Sequence, residues 1–276
     1  MERENKPFDG FRFNKALGQN FISDKNLLDA ICSDAGIGAG DTVVEIGTGA
    51  GTLTEAILKT GAFVHTFEVD SRLEPMIRER LAPYEGKYEL HFFDVLKMSD
   101  ERFSALVSGP FSVVANLPYY VTTPLIMRFL ESDLPWKSLT LTVQKEVGER
   151  LCAKEGTSEY GAVTVSVRSY CDVEITRIID KKMFFPAPKV DSCVVRLIGH
   201  NNKYSIADRN LFRRTVKAVF CNRRKTLENN LKSSFSVSKD TISDIFSAMD
   251  LAPMIRGEKL SVEQFVALCE QLKKHI

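Results

Sequence analysis

Glu45-Ile46-Gly47-Thr48-Gly49-Ala50-Gly51 joins a short apolar run to a helix-forming stretch. Its glycines suit a backbone that must turn tightly and admit a ligand with no Cβ in the way. Two acids stand where such a ligand would need them. The run Phe63-Val64-His65-Thr66-Phe67 ends at Glu68, 21 residues after Gly47. A carboxylate there can accept both hydroxyls of a ribose. A third apolar run ends at Asp94, placed to accept a hydrogen bond from an adenine amino group. A turn with no ligand and a dinucleotide site are competing readings of the glycines. The dinucleotide fingerprint, however, is GxGxxG, and the spacing here is GxGxG with an acid before the first glycine. That pattern is similar to nucleotide loops that hold S-adenosylmethionine.

A second constellation follows a fourth run, Ser112-Val113-Val114-Ala115, directly: Asn116-Leu117-Pro118-Tyr119. Open α/β sheets bind ligands at the carboxyl ends of their strands, so this loop should face the cofactor. The four residues resemble the (D/N/S)-x-P-(Y/F) signature of methyltransferases acting on exocyclic amines. The chemistry explains the residue types. An adenine amine is a poor nucleophile because its lone pair is delocalised into the ring. Acceptors at the Asn116 side-chain oxygen and the Leu117 carbonyl can hold both N–H bonds, aim the lone pair at a methyl group and favour a pyramidal nitrogen. Tyr119 can stack on the base, which is worth about 1–3 kcal/mol. A neutral amine loses its proton after attack, so no general base is required. The four histidines, His65, His91, His200 and His275, are scattered and suggest no constellation. In Phe184-Phe185-Pro186-Ala187-Pro188-Lys189-Val190-Asp191-Ser192 the prolines stiffen an extended loop that could hold a ring against the target base. A hydrophobic plug beneath a loop is the plainer reading of either phenylalanine.

The elements that must position these residues alternate. Ser23-Asp24 can cap a helix with Leu27, Leu28 and Ile31 on one face, and Gly36 can stop it. Strands are predicted at 42–46, 63–67, 88–93, 112–115 and 138–144, and helices at 53–59, 72–81 and 123–131. Strands near 172–179 and 192–198 lack a helix between them and should close the sheet as an antiparallel pair. The fold class is therefore α/β, a doubly wound, Rossmann-like methyltransferase domain over 1–200. Composition changes near 199–205, and residues 201–276 read as a small all-helical C-terminal domain. There Leu211, Phe212, Val216, Val219 and Phe220 make one apolar face, and Pro253 and Gly257 punctuate the last helices.

With 44% hydrophobic residues, the chain has enough apolar mass for a sizeable core. No apolar run approaches a membrane span, and Met1 to Lys15 lacks the apolar core of a secretion signal. The cysteines at 32, 152, 171, 193, 221 and 269 contain no CxxC pair. They read as reduced, mostly buried thiols of a cytoplasmic protein, with no metal site or disulfide framework expected. Net charge is only +1, but residues 181–232 hold 13 Lys and Arg against three acids, Asp191, Asp208 and Glu228. Arg213, Arg214, Lys217, Arg223, Arg224 and Lys225 are the candidate phosphate-binding residues. A solvated helix face is the other reading of the same charges.

Taken in order, these pieces resemble the ribosomal RNA adenine N6,N6-dimethyltransferase family that modifies the small subunit. The matching stretches are Leu17-Gly18-Gln19-Asn20-Phe21, the Glu45 to Gly51 loop, Glu68, Asp94, Asn116 to Tyr119, Phe184 to Ser192, Asn222 to Leu227 and Arg256-Gly257-Glu258-Lys259-Leu260. The resemblance runs from about 12 to 270. It implies that Asn20 and Ile22 contact S-adenosylmethionine from the N-terminal segment. Gly47 and Gly49 would flank its methionine part, Glu68 its ribose and Asp94 its adenine. Asn116 would line both cofactor and target amine, and Phe184 would be the stacking aromatic. The implied substrate is a pair of adjacent adenosines in the hairpin loop near the 3′ end of small-subunit rRNA. Each would receive two methyls within an immature subunit, from a monomer. Thr48 stands where the family often has Pro, and Ile22 where it often has Leu; both suit a backbone-contact role. A large-subunit rRNA adenine methyltransferase of the macrolide-resistance type shares the catalytic domain and is the alternative. The Arg256 to Leu260 segment and the chain length favour the small-subunit reading. A non-catalytic RNA-binding or assembly factor on the same fold is a further alternative, against which the intact Asn116 to Tyr119 loop argues.

Overall fold

The computed structural model describes residues 20–200 and 203–276. Met1 to Lys15, Leu17-Gly18-Gln19 and Asn201-Asn202 lie outside the described residues. The chain divides into two compact units. One holds the described residues up to Gly148 together with Glu174–Ile198. The other holds Glu149–Val173 and the described residues from Gly199 to Ile276.

The first unit begins with β1 (Phe21–Ile22) and α1 (Lys25–Ala35), and alternation follows: β2 (Thr42–Ile46), α2 (Thr52–Lys59), β3 (Phe63–Glu68), α3 (Glu74–Leu81), β4 (Tyr88–Phe92), α4 (Asp100–Leu106), β5 (Phe111–Asn116), α5 (Tyr119–Leu130) and β6 (Trp136–Gln144). The stop and start signals act as their chemistry dictates. Asp24 accepts from the Leu27 amide at 2.8 Å, and Gly36 ends α1 in the left-handed region at φ 65°. Along the chain then come α6 (Lys145–Leu151), α7 (Ala162–Arg168), which belongs to the second unit, β7 (Cys171–Ile179), β8 (Phe184–Phe185) and β9 (Ser192–Gly199).

Among the described residues the main sheet runs β4-β3-β2-β5-β6-β9-β7. The first five strands pair in parallel, and β6 meets β9 antiparallel, Leu141 opposite Val195. The closing strands thus insert β9 between β6 and β7. Strand order reverses beside β2, which has β3 on one side and β5 on the other, so a ligand crevice should open outside the carboxyl ends of these strands. A run of rings fixes the β3 side of the core. Phe67 stacks on Phe103 with centroids 5.8 Å apart, and Phe103 meets Phe111 at 5.4 Å and Phe129 at 6.1 Å. Phe103, Phe111 and Phe129 are fully buried, so truncating any of them should cost about 3–5 kcal/mol.

Helix α5 starts four residues earlier than periodicity predicts. Pro118 precedes its first turn, and Pro124 lies inside it, where it cannot donate to the Tyr120 carbonyl one turn back.

The second unit carries α8 (Arg209–Val219), α9 (Leu227–Ser234), α10 (Lys239–Ala248) and α11 (Val262–Lys273). Leu211, Phe212, Val216 and Val219 on α8 are buried against Leu227, Leu231, Phe265 and Leu268. Ala153, Tyr160 and Val165 from Glu149–Val173 join that same core, and the Tyr160 hydroxyl donates to the Leu260 carbonyl at 2.9 Å. The sequence boundary at 200/201 leaves this earlier segment out, because its helices are short and their partners lie far along the chain.

Candidate functional site

At the carboxyl ends of β2 to β5 a cavity of about 590 Å³ opens, within the range of small-molecule sites. Asn20, Ile22, Gly47, Gly49, Glu68, Asp94, Asn116, Leu117 and Pro118 all line it. These residues come from segments up to 98 positions apart in sequence, brought together by the order of β2 to β5 and by the N-terminal segment beside them.

The glycine loop is held from below. The Gly47 amide donates to the Phe67 carbonyl at 2.8 Å. Gly47 and Gly49 sit at φ 82° and 56°, and a Cβ on Gly49 would lie 2.6 Å from the Phe21 ring. Gly49→Ala is therefore expected to combine left-handed strain with a displaced Phe21. Calorimetry should show cofactor affinity reduced about tenfold or more, from 1–3 kcal/mol of strain; unchanged affinity would detach the loop from ligand binding.

Glu68 is buried, and its carboxylate already accepts three backbone amides. Oε2 takes Gly49 at 2.8 Å, and Oε1 takes Val69 at 2.8 Å and Asp70 at 2.9 Å. It thus ties the glycine loop to the end of β3 while facing the cavity. Asp94 accepts from the Leu96 amide at 3.1 Å and pairs with Lys97 at 3.3 Å.

Asn116 is oriented by the N-terminal segment. Its Nδ2 donates to the Asn20 carbonyl at 3.0 Å, which leaves Oδ1 as the end able to accept a target amine. With the Leu117 carbonyl this supplies the acceptor pair that both N–H bonds of an adenine amine require.

The aromatic residues are placed differently from one another. The Tyr119 hydroxyl shares a 2.8 Å hydrogen bond with Ser192, and the ring is half-buried and does not line the cavity. Burial raises its phenol pKa against that hydrogen bond. Tyr120, 64% exposed, lines the cavity. Phe184 is 4% exposed, and it packs in the core with its strand partner Ile22, while Phe185 is exposed. The Phe184 ring does not line the cavity either.

Two features escape a reading of the sequence. The first lies under the loop. Glu45 is fully buried, and its Oε2 accepts from Thr54 at 2.5 Å and Thr66 at 2.6 Å. The Thr48 hydroxyl meets that of Thr66 at 2.6 Å, so Thr48 has a side-chain role beyond a backbone contact. Burial, and to a lesser degree the neighbouring Glu68, pushes the Glu45 carboxyl up to about 8 against the hydrogen bonds from Thr54 and Thr66. The folded chain therefore binds a proton that the unfolded chain has released, and stability falls as pH rises from about 4.5 to about 8. Glu45→Gln should flatten that slope and gain on the order of a few kcal/mol at pH 8 relative to wild type. Denaturation at pH 5 and pH 8 checks it, and equal slopes in both proteins would refute a buried neutral acid. An acid between apolar residues of a strand was the available signal.

The second feature corrects the view of scattered histidines. His65 and His91 come together, with Glu89, across β3 and β4.

The six candidate phosphate-binding residues, Arg213, Arg214, Lys217, Arg223, Arg224 and Lys225, are all exposed on the second unit. Two also have structural duties: Arg223 donates to the Tyr160 carbonyl at 3.0 Å, and Arg214 lies 5.3 Å from the Phe235 ring centre. Among the described residues no helix is long and apolar enough to cross a membrane.

Comparison with known proteins bears directly on this geometry. A family model described as ribosomal RNA adenine dimethylase matches residues 10–274. The chain is 41% identical over 261 residues to a ribosomal RNA small subunit methyltransferase A of Clostridioides difficile, covering 94% of this chain and 90% of that protein. It is 40% identical over 275 residues to the protein of that name from Bacillus cereus, covering 96% and 93%. A dimethyladenosine transferase structure from Plasmodium falciparum superposes with a TM-score of 0.78 at 26% identity, covering 92% of this chain and 98% of that one. The 23S rRNA methyltransferase ErmE gives 0.69 at 22% identity, covering 92% and 99%, a likeness of fold.

Proposed function

This chain belongs to the ribosomal RNA adenine dimethylase family, and from that premise we propose how its own residues carry out the reaction. It is a methyltransferase that dimethylates adenine N6 in small-subunit rRNA with S-adenosylmethionine, as part of ribosome biogenesis. The single observation that carries the residue assignment is the meeting of Asn116, the glycine loop, Glu68 and Asp94 around one cavity. The relatives at 40–41% identity carry the small-subunit name, whereas the large-subunit enzyme shares the fold at 22%.

The residues present fit the cofactor: two positive-φ glycines let the loop line the cavity while packing against Phe21 and Leu117, and Glu68 and Asp94 offer carboxylates to a ribose and an adenine amine. S-adenosylmethionine supplies an activated methyl on a cationic sulfur. Glu68 and the glycine loop hold the ribose and methionine parts, with Asn20 and Ile22 closing one side. Asn116 Oδ1 and the Leu117 carbonyl orient the target amine, and Pro118 fixes the turn that presents them. The amine attacks as a neutral nucleophile, and its proton leaves afterwards to water. Tyr120 is better placed than Tyr119 to meet the base, because it is exposed and lines the cavity. The Tyr119–Ser192 bond instead braces the loop. Phe184, buried beside Ile22, would reach a base only by a shift of its strand pair.

The first unit is the methyltransferase domain, and the helical unit supplies phosphate contacts through Arg213, Arg214, Lys217, Arg223, Arg224 and Lys225. The substrate is an immature small subunit met in the cytoplasm by a monomer. Phosphate contacts release counterions, so affinity should fall with salt. Reversing Lys217, Arg224 and Lys225 to Glu should weaken subunit binding and flatten its salt slope by about 2–3. Cofactor affinity should be unchanged. Arg223 is left intact in that variant because it holds Tyr160. A wild-type salt slope would make the patch a solvated surface. For the function itself, methyl transfer is to be compared on small and large subunits: labelling confined to large subunits would reverse the assignment.

A further inference from the structure

His65 and Glu89 are direct partners across the parallel pair β3–β4, and His91 follows two residues after Glu89 on the same face of β4. His65 Nδ1 lies 3.4 Å and His91 Nε2 3.5 Å from the same oxygen, Glu89 Oε2. All three atoms lie within 4.8 Å of one another. Both nitrogens are buried, and neither makes a well-formed hydrogen bond, each standing at the long end of contact with that one carboxylate oxygen. Buried polar atoms are ordinarily satisfied, so two such nitrogens facing one carboxylate call for a physical reason. The spacing supplies one. Ligands held at the usual Zn–N and Zn–O lengths in a tetrahedron lie roughly 3.3–3.5 Å apart. Two edges of the cluster already have that length.

We propose that His65, Glu89 and His91 form a binding site for a divalent transition-metal ion of the zinc type, separate from the methyl-transfer cavity. Two imidazoles and one carboxylate suit such an ion rather than magnesium or calcium. The Glu89 side chain is 52% exposed, so the ion enters from solvent and keeps a water as fourth ligand. The rings are held before any ion arrives: His91 stacks on Phe67 at 4.7 Å and on His65 at 5.8 Å. The site ties the edge strand β4 to β3, and its occupancy should stabilise the chain by mass action.

The test uses the full chain without a histidine tag, stripped with chelator and with the exposed Cys221 alkylated. Co²⁺ is titrated in, followed by Zn²⁺. The expected result is one equivalent of Co²⁺ with a visible ligand-field band, displaced by Zn²⁺, and a Tm that rises with Zn²⁺ concentration. Glu89→Gln, at a half-exposed position, should fold normally and bind at least about tenfold more weakly, because a direct ligand matters no less than the groups that orient one. His91→Gln should do the same. Absence of binding by the wild-type chain up to millimolar ion overturns the proposal. So does equal binding by wild type and both variants, which would place the metal elsewhere. Neither outcome bears on methyl transfer, which is measured separately.

Discussion

Asn116→Ala is expected to lower single-turnover methyl transfer by about 10²–10³-fold, the size of effect seen when one preorganised polar group is removed from a transition state. Asn116 Oδ1 acts on the amine as it becomes tetrahedral, so its contribution is made chiefly in the transition state. Subunit affinity should therefore change little. The same side chain also holds the Asn20 carbonyl through Nδ2, so the alanine variant loosens the N-terminal segment as well. Asn116→Asp separates the two roles: it keeps an acceptor and loses the donor to Asn20. It should retain more activity than the alanine variant while sharing any loss of cofactor affinity. Near-normal single-turnover rates for Asn116→Ala would remove the residue from the chemistry.

Glu68→Ala is expected to weaken S-adenosylmethionine binding at least about a hundredfold. The three amides leave about one acceptor site free on the carboxylate; a ribose hydrogen bond there is worth roughly 1.5–3 kcal/mol, and 1.4 kcal/mol is tenfold. A second contribution comes from the chain itself. The amides of Gly49, Val69 and Asp70 lose their acceptor, and the glycine loop loses its tie to β3. Glu68→Gln preserves the shape, but its NH₂ would confront backbone donors, so it should rescue little. Calorimetry on a variant shown to be folded decides the matter. Unchanged affinity would contradict the cofactor assignment.

Much of this was legible in the sequence because the relevant physics is local. Asp24 and Gly36 announce the ends of α1, and the β2 and β3 runs are bounded by their own glycine loop and acid. The Asn116 to Tyr119 loop declares its chemistry by residue type and by following a strand. What stayed hidden depends on partners distant along the chain. By residue type Tyr119 reads as a stacking ring, and only the fold shows its hydroxyl sharing a hydrogen bond with Ser192, 73 residues on. Phe184 reads as an aromatic of the proline loop, and its burial beside Ile22 depends on a strand pairing 162 residues back along the chain. Glu149–Val173 reads as a continuation of the sheet domain, yet Tyr160 is buried among the C-terminal helices. His65 and His91 are unremarkable singly, and only the β3–β4 register brings them to one carboxylate. Glu45 is part of a recognisable motif, but its proton depends on burial that no motif states.

The most direct measurement is the modified-nucleoside content and position in small subunits that lack the modification, after incubation with the purified chain and S-adenosylmethionine. The expected result is N6,N6-dimethyladenosine at two adjacent adenosines in the hairpin loop near the 3′ end of the small-subunit rRNA, with both sites lost in Asn116→Ala. Methylation mapped only to large-subunit rRNA, or no N6 methylation by a folded chain that binds the cofactor, would contradict it.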